Sequence, residues 1–397
     1  MKIAFVGNQD NNAYRICRWI RQRGIDVHLY LFCKENPDRS LPELVDVEWS
    51  DGYSRWIHQY DDTGTFWPLN RCDVARKIDN RYDLVVTSGA TGLLAAGQFR
   101  RTPVVHLTLG SEVSEFPLWA WRWKLSLRWR AASFLMRRNL KRVARIVTMG
   151  FRPELRALDA LGHKDKTVVW GWPEDPQGNR KRMDRAQLAK LTSDYAGFDR
   201  VFVWMTRLNF VDTDSVEYKG AERFLDAFEM LVRSGVGKVK AIVGAHGYDV
   251  ETFKDRAAEK GLGDHIDYVQ HMPFHQMMAY LSLPNGVVVD VLDAERGHIF
   301  GGVVREAMSL GSPVIAAMDS DTVVQCYGPH CPIIKADDVQ SCYEGMVLVA
   351  GMDDAAFTQL GQSVGRWADE YLHYDRCVGE LMEVFRGTVD ECGGTSD

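Results

Sequence analysis

Residues 286–318, GVVVDVLDAERGHIFGGVVREAMSLGSPVIAAM, constrain the fold more than any other stretch of the chain. Residues 286–292 are a short apolar run rich in β-branched valine, which predicts a buried strand. A polar loop follows from Asp293 and ends in Phe300, Gly301 and Gly302. Residues 303–310 contain few helix breakers and predict a short helix. Gly311 stands where a helix C-terminus favours a left-handed residue, and Pro313 stands where a helix cannot continue. Residues 313–318 predict the next strand. A strand, a glycine-bearing loop, a helix and a strand form the repeating unit of an α/β fold with a parallel sheet, in which a ligand binds at the loop.

The chemistry of that loop is legible in outline. Two adjacent glycines let the backbone approach a ligand closely. The first N–H groups of the following helix have no intrahelical partner and carry partial positive charge, which suits a phosphate. Glu306, one turn along, is placed to accept hydrogen bonds from sugar hydroxyls. An ordinary tight βαβ turn with a solvated glutamate fits the same spacing, since a lone Gly-Gly loop is a weak signal.

FGGVVREAMSLGSPVIA resembles the donor-site signature of retaining, family-4-like glycosyltransferases, the glycosyl transferases group 1. These pair two glutamates eight positions apart around an F-G-hydrophobic segment. The resemblance implies that Glu306 holds a nucleotide ribose. It implies that the backbone of Phe300, Gly301, Gly302 and Val303 touches a sugar and a diphosphate. Where the first glutamate is expected the chain has His298, and the nearest upstream glutamate is Glu295. The resemblance also implies the GT-B fold, two Rossmann-like domains with parallel sheets facing across a cleft. Residues 1–172 would form the acceptor domain, completed by a C-terminal helix at about 374–390, and residues 173–373 the nucleotide-sugar donor domain.

A chain of 397 residues has room for two such domains, and no apolar run approaches the ~18–20 residues of a membrane-spanning helix. MKIAFVGNQ opens as a strand rather than a signal peptide. The eight cysteines are scattered without a CxxC pair, which favours reduced thiols and a cytoplasmic location.

Residues 2–6, 27–32, 83–88, 103–107, 143–149 and 167–171 predict the strands of the first domain, with a helix over 12–23. The turn after the first strand, Gly7-Asn8, is not a dinucleotide fingerprint. In the resembling fold this loop lines the acceptor side. Residues 34–70 read as irregular, with Trp49, Trp56 and Trp67 set among acids and turn residues. The run TPVVHLTLGSE resembles the family's H-G-S/T-D loop, with Gly110, Ser111 and Glu112 in register and Leu109 in place of the histidine. His106, three residues earlier, is an acceptor-side candidate or a buried, satisfied histidine.

The net charge of −6 hides an asymmetry: residues 116–153 hold ten Lys or Arg and no acid, leaving 38 basic and 54 acidic residues elsewhere. From 119 to 129, Trp119, Trp121, Trp123, Leu125, Leu127 and Trp129 alternate with Arg122, Lys124, Ser126 and Arg128, a period of two that predicts an extended ribbon. From 132 to 145 the period becomes helical. Leu135, Met136, Leu140 and Val143 share one face, and Arg137, Arg138, Lys141, Arg142 and Arg145 the other. Tryptophan with arginine and no acid is the composition of an anchor at an anionic membrane surface. It also fits a nucleic-acid or other polyanion surface, or a core helix with a solvated basic face.

GWPEDPQGNRKR, residues 171–182, reads as the interdomain linker. Residues 200–205 open the second domain. Arg207-Leu208 and Lys219-Gly220 resemble the family's R-L…K-G element, whose cations neutralise the donor diphosphate, although here ten residues intervene. Asp212-Thr213-Asp214 is a DxD by chance spacing, and metal-independent transfer is expected. Gly244 ends a strand whose C-terminal end faces the cleft in a parallel sheet, on the donor side, and His271 and Met272 follow another strand, whose loop the resemblance places beside the nucleobase.

The combined expectation is transfer of a sugar from a UDP- or GDP-sugar to an acceptor hydroxyl with retention, without a cofactor. A glycan or lipid-linked acceptor, with the protein peripheral on the inner face of a membrane, suits the basic segment. A DNA acceptor is the same-fold alternative. The absent first glutamate leaves open a non-catalytic nucleotide-sugar-binding or scaffolding protein.

Overall fold

The computed structural model describes residues 1–32, 41–45, 52–60, 73–121, 126–213, 218–293 and 299–393, with backbone alone at 44 and 119–121. The chain divides into two compact units, Met1–Trp170 with Tyr374–Asp397, and Gly171–His373.

The first unit is built on β1 (Lys2–Val6), β2 (Asp26–Phe32), β3 (Ile57–Tyr60), β4 (Leu84–Ser88), β5 (Val104–Leu107), β6 (Arg145–Thr148) and β7 (Thr167–Val169). They form a seven-stranded sheet in the order β3-β2-β1-β4-β5-β6-β7, with every pair parallel. Helices cover both faces, so β1 and β4 are almost wholly buried and read as continuous apolar runs. The last helix, Tyr374–Gly393, returns to this unit: Phe385 meets Phe5 edge-on at 6.2 Å, Tyr374 stacks on Trp19 at 5.6 Å, and Trp170 Nε1 donates to Cys377 O at 2.7 Å.

The second unit repeats the plan with β8 (Arg200–Trp204), β9 (Val239–Gly244), β10 (Ile266–Val269), β11 (Gly286–Asp290), β12 (Val314–Ala316) and β13 (Ile334–Lys335). The order is β10-β9-β8-β11-β12-β13, again all parallel. Its core gathers Phe202, Trp204, Phe224, Phe228 and Phe253 with Val287 and Val289 of β11. The helix over Gly302–Leu310 ends at Gly311 with φ 82°, the left-handed cap that the sequence calls for.

Three expectations are corrected. The segment read as irregular contains β3, an edge strand that pairs with β2 from Leu29 to Phe32, and Trp56 is core, stacked on Tyr14 at 6.0 Å. Trp49 and Trp67 lie outside the described residues. The described parts of the 119–129 alternation are not a ribbon: Phe116–Trp121 is a 3-10 turn and an α-helix runs from Leu127 to Arg142, while 122–125 lie outside the described residues. Among the described residues no strand pairs with this segment, and the helix instead buries Met136, Asn139 and Leu140 on one face. The proline- and glycine-rich stretch after Trp170 is not an exposed tether. Asp175 caps the helix Pro176–Arg182, and Trp172, Glu174, Pro176 and Asn179 are buried in the second unit.

Candidate functional site

In the second unit the strand order reverses between β8 and β11, so the loops leaving their C-terminal ends diverge and open a crevice. The β11 loop ends at Gly301 and Gly302. Gly301 precedes the helix with extended geometry (φ −59°, ψ 168°), and no side chain caps the first turn among the described residues. Gly302 is exposed, and a Cβ added there would meet nothing within 4 Å. The turn therefore presents backbone N–H groups to open space at the positive end of the helix, the geometry of an anion site.

Phe300 works from below. Its ring is buried, stacked on Tyr327 at 5.4 Å and edge-on to Trp367 at 6.0 Å, which fixes the backbone of the Phe300–Gly302 turn. Arg305 Nη1 donates to Phe300 O at 2.7 Å, and Arg305 Nε lies 3.8 Å from Glu174. Asn179 bridges Glu174 (3.1 Å) and Ser309 (2.9 Å). Glu306 sits one turn into the same pinned helix and is mostly buried, and Val303 is half-buried. His298 lies outside the described residues.

The loop after β8 carries Arg207. It is tied to the loop after β9: Leu208 N donates to His246 O at 2.8 Å, Asp249 accepts from Phe210 N (2.7 Å) and Val211 N (3.0 Å), and Tyr248 N donates to Asn209 Oδ1 at 2.8 Å. The insertion between Arg207 and Lys219 closes on itself. Lys219 N donates to Asn209 O at 3.0 Å, and Leu292 N donates to Lys219 O at 3.3 Å. Lys219 is thereby brought back within two residues of Arg207 and against the start of the β11 loop. Gly220 then turns with φ 75° into the helix Ala221–Ser234. Asp212 and Thr213 are exposed on the insertion, and Asp214 lies outside the described residues. No group of three or more metal-binding side chains occurs among the described residues.

Gly244 ends β9, and His246 meets His271 edge-on at 6.1 Å, so the loops after β9 and β10 adjoin each other. His271 is exposed and Met272 half-buried.

Sequence reasoning missed Asp290. It is 1% exposed at the end of β11, it accepts a hydrogen bond from Thr206 Oγ1, and a Cβ on Gly301 would lie 2.8 Å from its Oδ2. Burial pushes its carboxyl above the ordinary value, against the opposing pull of that hydrogen bond and of Lys219. An acid closing an apolar strand gives no periodic signal; only tertiary structure shows what it touches. Glu174 and Asn179 were missed because they sit in the stretch that reads as linker.

In the first unit, Gly7 has φ 92° and a Cβ there would lie 2.4 Å from Ser88 O. Asn8 is buried and accepts from Tyr14 N at 2.8 Å, so it serves the following helix. His106 is fully buried, with Nδ1 3.0 Å from Thr87 Oγ1 and Nε2 3.9 Å from Glu112. Desolvation lowers its pKa to about 3. Glu112 accepts from Leu109 N and is also buried; desolvation, then the nearby Glu154, raises its pKa. Glu154 accepts from Thr108 and Thr148, and burial raises its pKa to about 7. Gly110 (φ 135°) and Ser111 are the partly exposed members of this loop.

On the basic helix, Arg128, Arg138, Lys141 and Arg142 are exposed and Arg137 is half-buried. Leu127 (80% exposed), Trp129 (49%) and Phe134 (59%) are exposed among them, and Leu118 precedes them on the 3-10 turn. Trp119 and Trp121 lie on that turn, where only the backbone is described, and Trp123 lies outside the described residues.

Residues 214–325 match the family model described as glycosyl transferases group 1. No curated protein matches the chain. Among solved structures, Anabaena Alr3699/HepE in complex with UDP-glucose is similar over 98% of this chain and 100% of its own, with 16% identity and a TM-score of 0.66. Sucrose-phosphate synthase from Thermosynechococcus elongatus is similar over 98% and 99%, with 12% identity and a TM-score of 0.65. A putative UDP-N-acetylglucosamine 2-epimerase from Listeria monocytogenes is similar over 93% and 94%, with 12% identity and a TM-score of 0.52. The chain has the GT-B fold, and its second unit carries a glycosyl transferases group 1 segment.

Proposed function

We propose that this protein is a retaining, metal-independent glycosyltransferase that moves a sugar from a nucleoside-diphosphate sugar to an acceptor hydroxyl. The observation that carries this reading is the convergence of the Arg207 loop, Lys219 and the uncapped Gly301–Gly302 helix start on one edge of the second sheet. Two cations and a helix N-terminus are the means of stabilising a leaving diphosphate, and such preorganised charge supplies most of the catalysis in a reaction of this kind. The C1–O bond to the diphosphate breaks, a bond from the acceptor oxygen to C1 forms on the same face, and the acceptor proton passes to the departing phosphate oxygen. Glu306 holds the nucleotide ribose, Gly244 lines the donor side, and His271 and Met272 flank the base. HepE was solved with UDP-glucose and shares the fold, which favours a UDP-sugar as the first donor to try.

The acceptor is a glycan or lipid-linked glycan at an anionic membrane surface. The exposed Leu127, Trp129 and Phe134 among Arg128, Arg138, Lys141 and Arg142 support that choice, since apolar side chains enter the headgroup layer while cations meet lipid phosphates. Gly110 and Ser111 are the acceptor-side positions with exposed surface.

The test is donor turnover. UDP- and GDP-sugars are supplied with a lipid-linked acceptor, the released diphosphate is followed, and the product anomer is read by NMR. One donor is expected to turn over with retention, and Lys219→Met is expected to lower kcat by about 100-fold or more. Binding of a donor with neither transfer nor hydrolysis would mark a nucleotide-sugar-binding protein, and inversion of C2 in the sugar would mark an epimerase.

A further inference from the structure

Asp290 is a puzzle at a site built for anions. It ends β11, against the Gly301 turn that starts the helix. Oδ1 accepts the Thr206 hydroxyl, and Thr206 adjoins Arg207. Oδ2 packs against Gly301, where any Cβ would stand 2.8 Å away. Two cations act on it, Lys219 and Arg305. Arg305 is engaged by Glu174 at 3.8 Å and by Phe300 O, on the far side of the helix start. Lys219 is held by its backbone at Asn209 and Leu292, two residues past Asp290 in the strand's continuation. One buried carboxylate therefore adjoins all three elements that would grip the diphosphate. A purely structural role asks for no charge there: a buried carboxylate is costly to desolvate unless a cation compensates it.

We propose that Asp290 is the built-in counter-ion of the candidate diphosphate site, a positioning residue that balances Lys219 when the site is empty and weakens the grip on the departing nucleoside diphosphate. This rests on the donor-site reading. Filling the site sets the diphosphate and Asp290 against each other across the Gly301 turn, two like charges sharing Lys219. The donor sugar diphosphate carries less negative charge than the free diphosphate, so the repulsion falls hardest on the product. Asp290 thus favours product release over product retention.

The measurement is calorimetric titration of UDP, GDP and uridine into wild type, Asp290→Asn and Thr206→Ser at pH 8. Asparagine keeps the shape and the hydrogen bond to Thr206 but removes the charge. The dissociation constant of the nucleoside diphosphate is expected to fall about tenfold in Asp290→Asn, with no change for uridine. Thr206→Ser, which keeps the hydroxyl and therefore the charge, is expected to stay near wild type. In turnover, Asp290→Asn should lower kcat and KM together and strengthen inhibition by the diphosphate, a split that loss of packing does not produce. Asp290→Ser serves if the asparagine variant fails to fold. Equal or weaker diphosphate binding in the uncharged variants overturns the counter-ion role while leaving the donor site intact. The same tightening in Thr206→Ser also overturns it. No binding of any diphosphate to wild type overturns the donor-site reading itself, and the counter-ion role with it.

Discussion

Lys219 illustrates what single residues can and cannot reveal. In the sequence it is twelve positions from Arg207, farther than the resemblance favours. In the structure one hydrogen bond from its N–H to Asn209 O closes the insertion and removes the discrepancy. The acid pair in the first unit shows the opposite lesson. Glu112 reads as an acceptor-side loop residue and Glu154 as a plain helix start, yet both are buried with raised pKa values, beside a histidine held neutral. A carboxyl whose folded pKa lies above its unfolded value stabilises most below the unfolded pKa, and that contribution is lost as pH rises through the folded one. For Glu154 the window runs from 4.5 to about 7. His106 acts in reverse, losing stability as pH falls from 6.5 toward about 3. Glu154→Gln isolates the carboxyl. The variant is expected to gain on wild type by up to about 3 kcal/mol between pH 5 and pH 8 in urea melts, whereas a difference independent of pH would contradict a protonated Glu154. Of the candidate site, Gly301, Gly302 and Glu306 were legible because a strand–loop–helix unit is local. Asp290, Glu174 and Asn179 were not, because their meaning lies in partners (Thr206, Arg305 and Ser309) from 84 to 131 residues away.

At the scale of elements, buried parallel strands were legible because both faces are covered and apolar residues run without alternation. β3 escaped because it is a short edge strand, with His58 and Gln59 among its four residues. The Trp/Arg stretch misled because six alternations mimic a strand while the downstream helix starts at Leu127, inside that pattern. Winding those residues onto a helix changes what they display: Leu127, Ala131 and Phe134 share an exposed stripe that continues into Arg138 and Lys141. If this helix meets a bilayer, the protein should float with vesicles containing anionic lipid. Binding should fall steeply with salt, and Leu127→Ser with Phe134→Ser should lower it by about tenfold or more without changing the melting temperature. Binding to DNA instead of vesicles, with the same salt dependence, would reassign the surface to a polyanion.

Across the whole molecule, one topological plan appears twice, each unit carrying its own strand-order reversal beside β1 and β8. The reversal beside β8 gathers the cations and the uncapped helix. The reversal beside β1 holds Gly7 and Asn8, which are committed to packing and helix capping. The two halves are therefore unequal in chemistry despite equal architecture, and the proposed nucleotide site lies in the second. The fold does not select the reaction, since a putative 2-epimerase is among the structures that share it. The most direct measurement is a thermal-shift panel of UDP, GDP and TDP on wild type and Glu306→Ala. A diphosphate at 100 times its dissociation constant adds about 2.7 kcal/mol of stability. The expected result is a clear upward shift with one of the three, lost or much reduced in Glu306→Ala. No shift with any of them, in a protein that melts cooperatively, would contradict a nucleoside-diphosphate site at the Gly301–Gly302 turn.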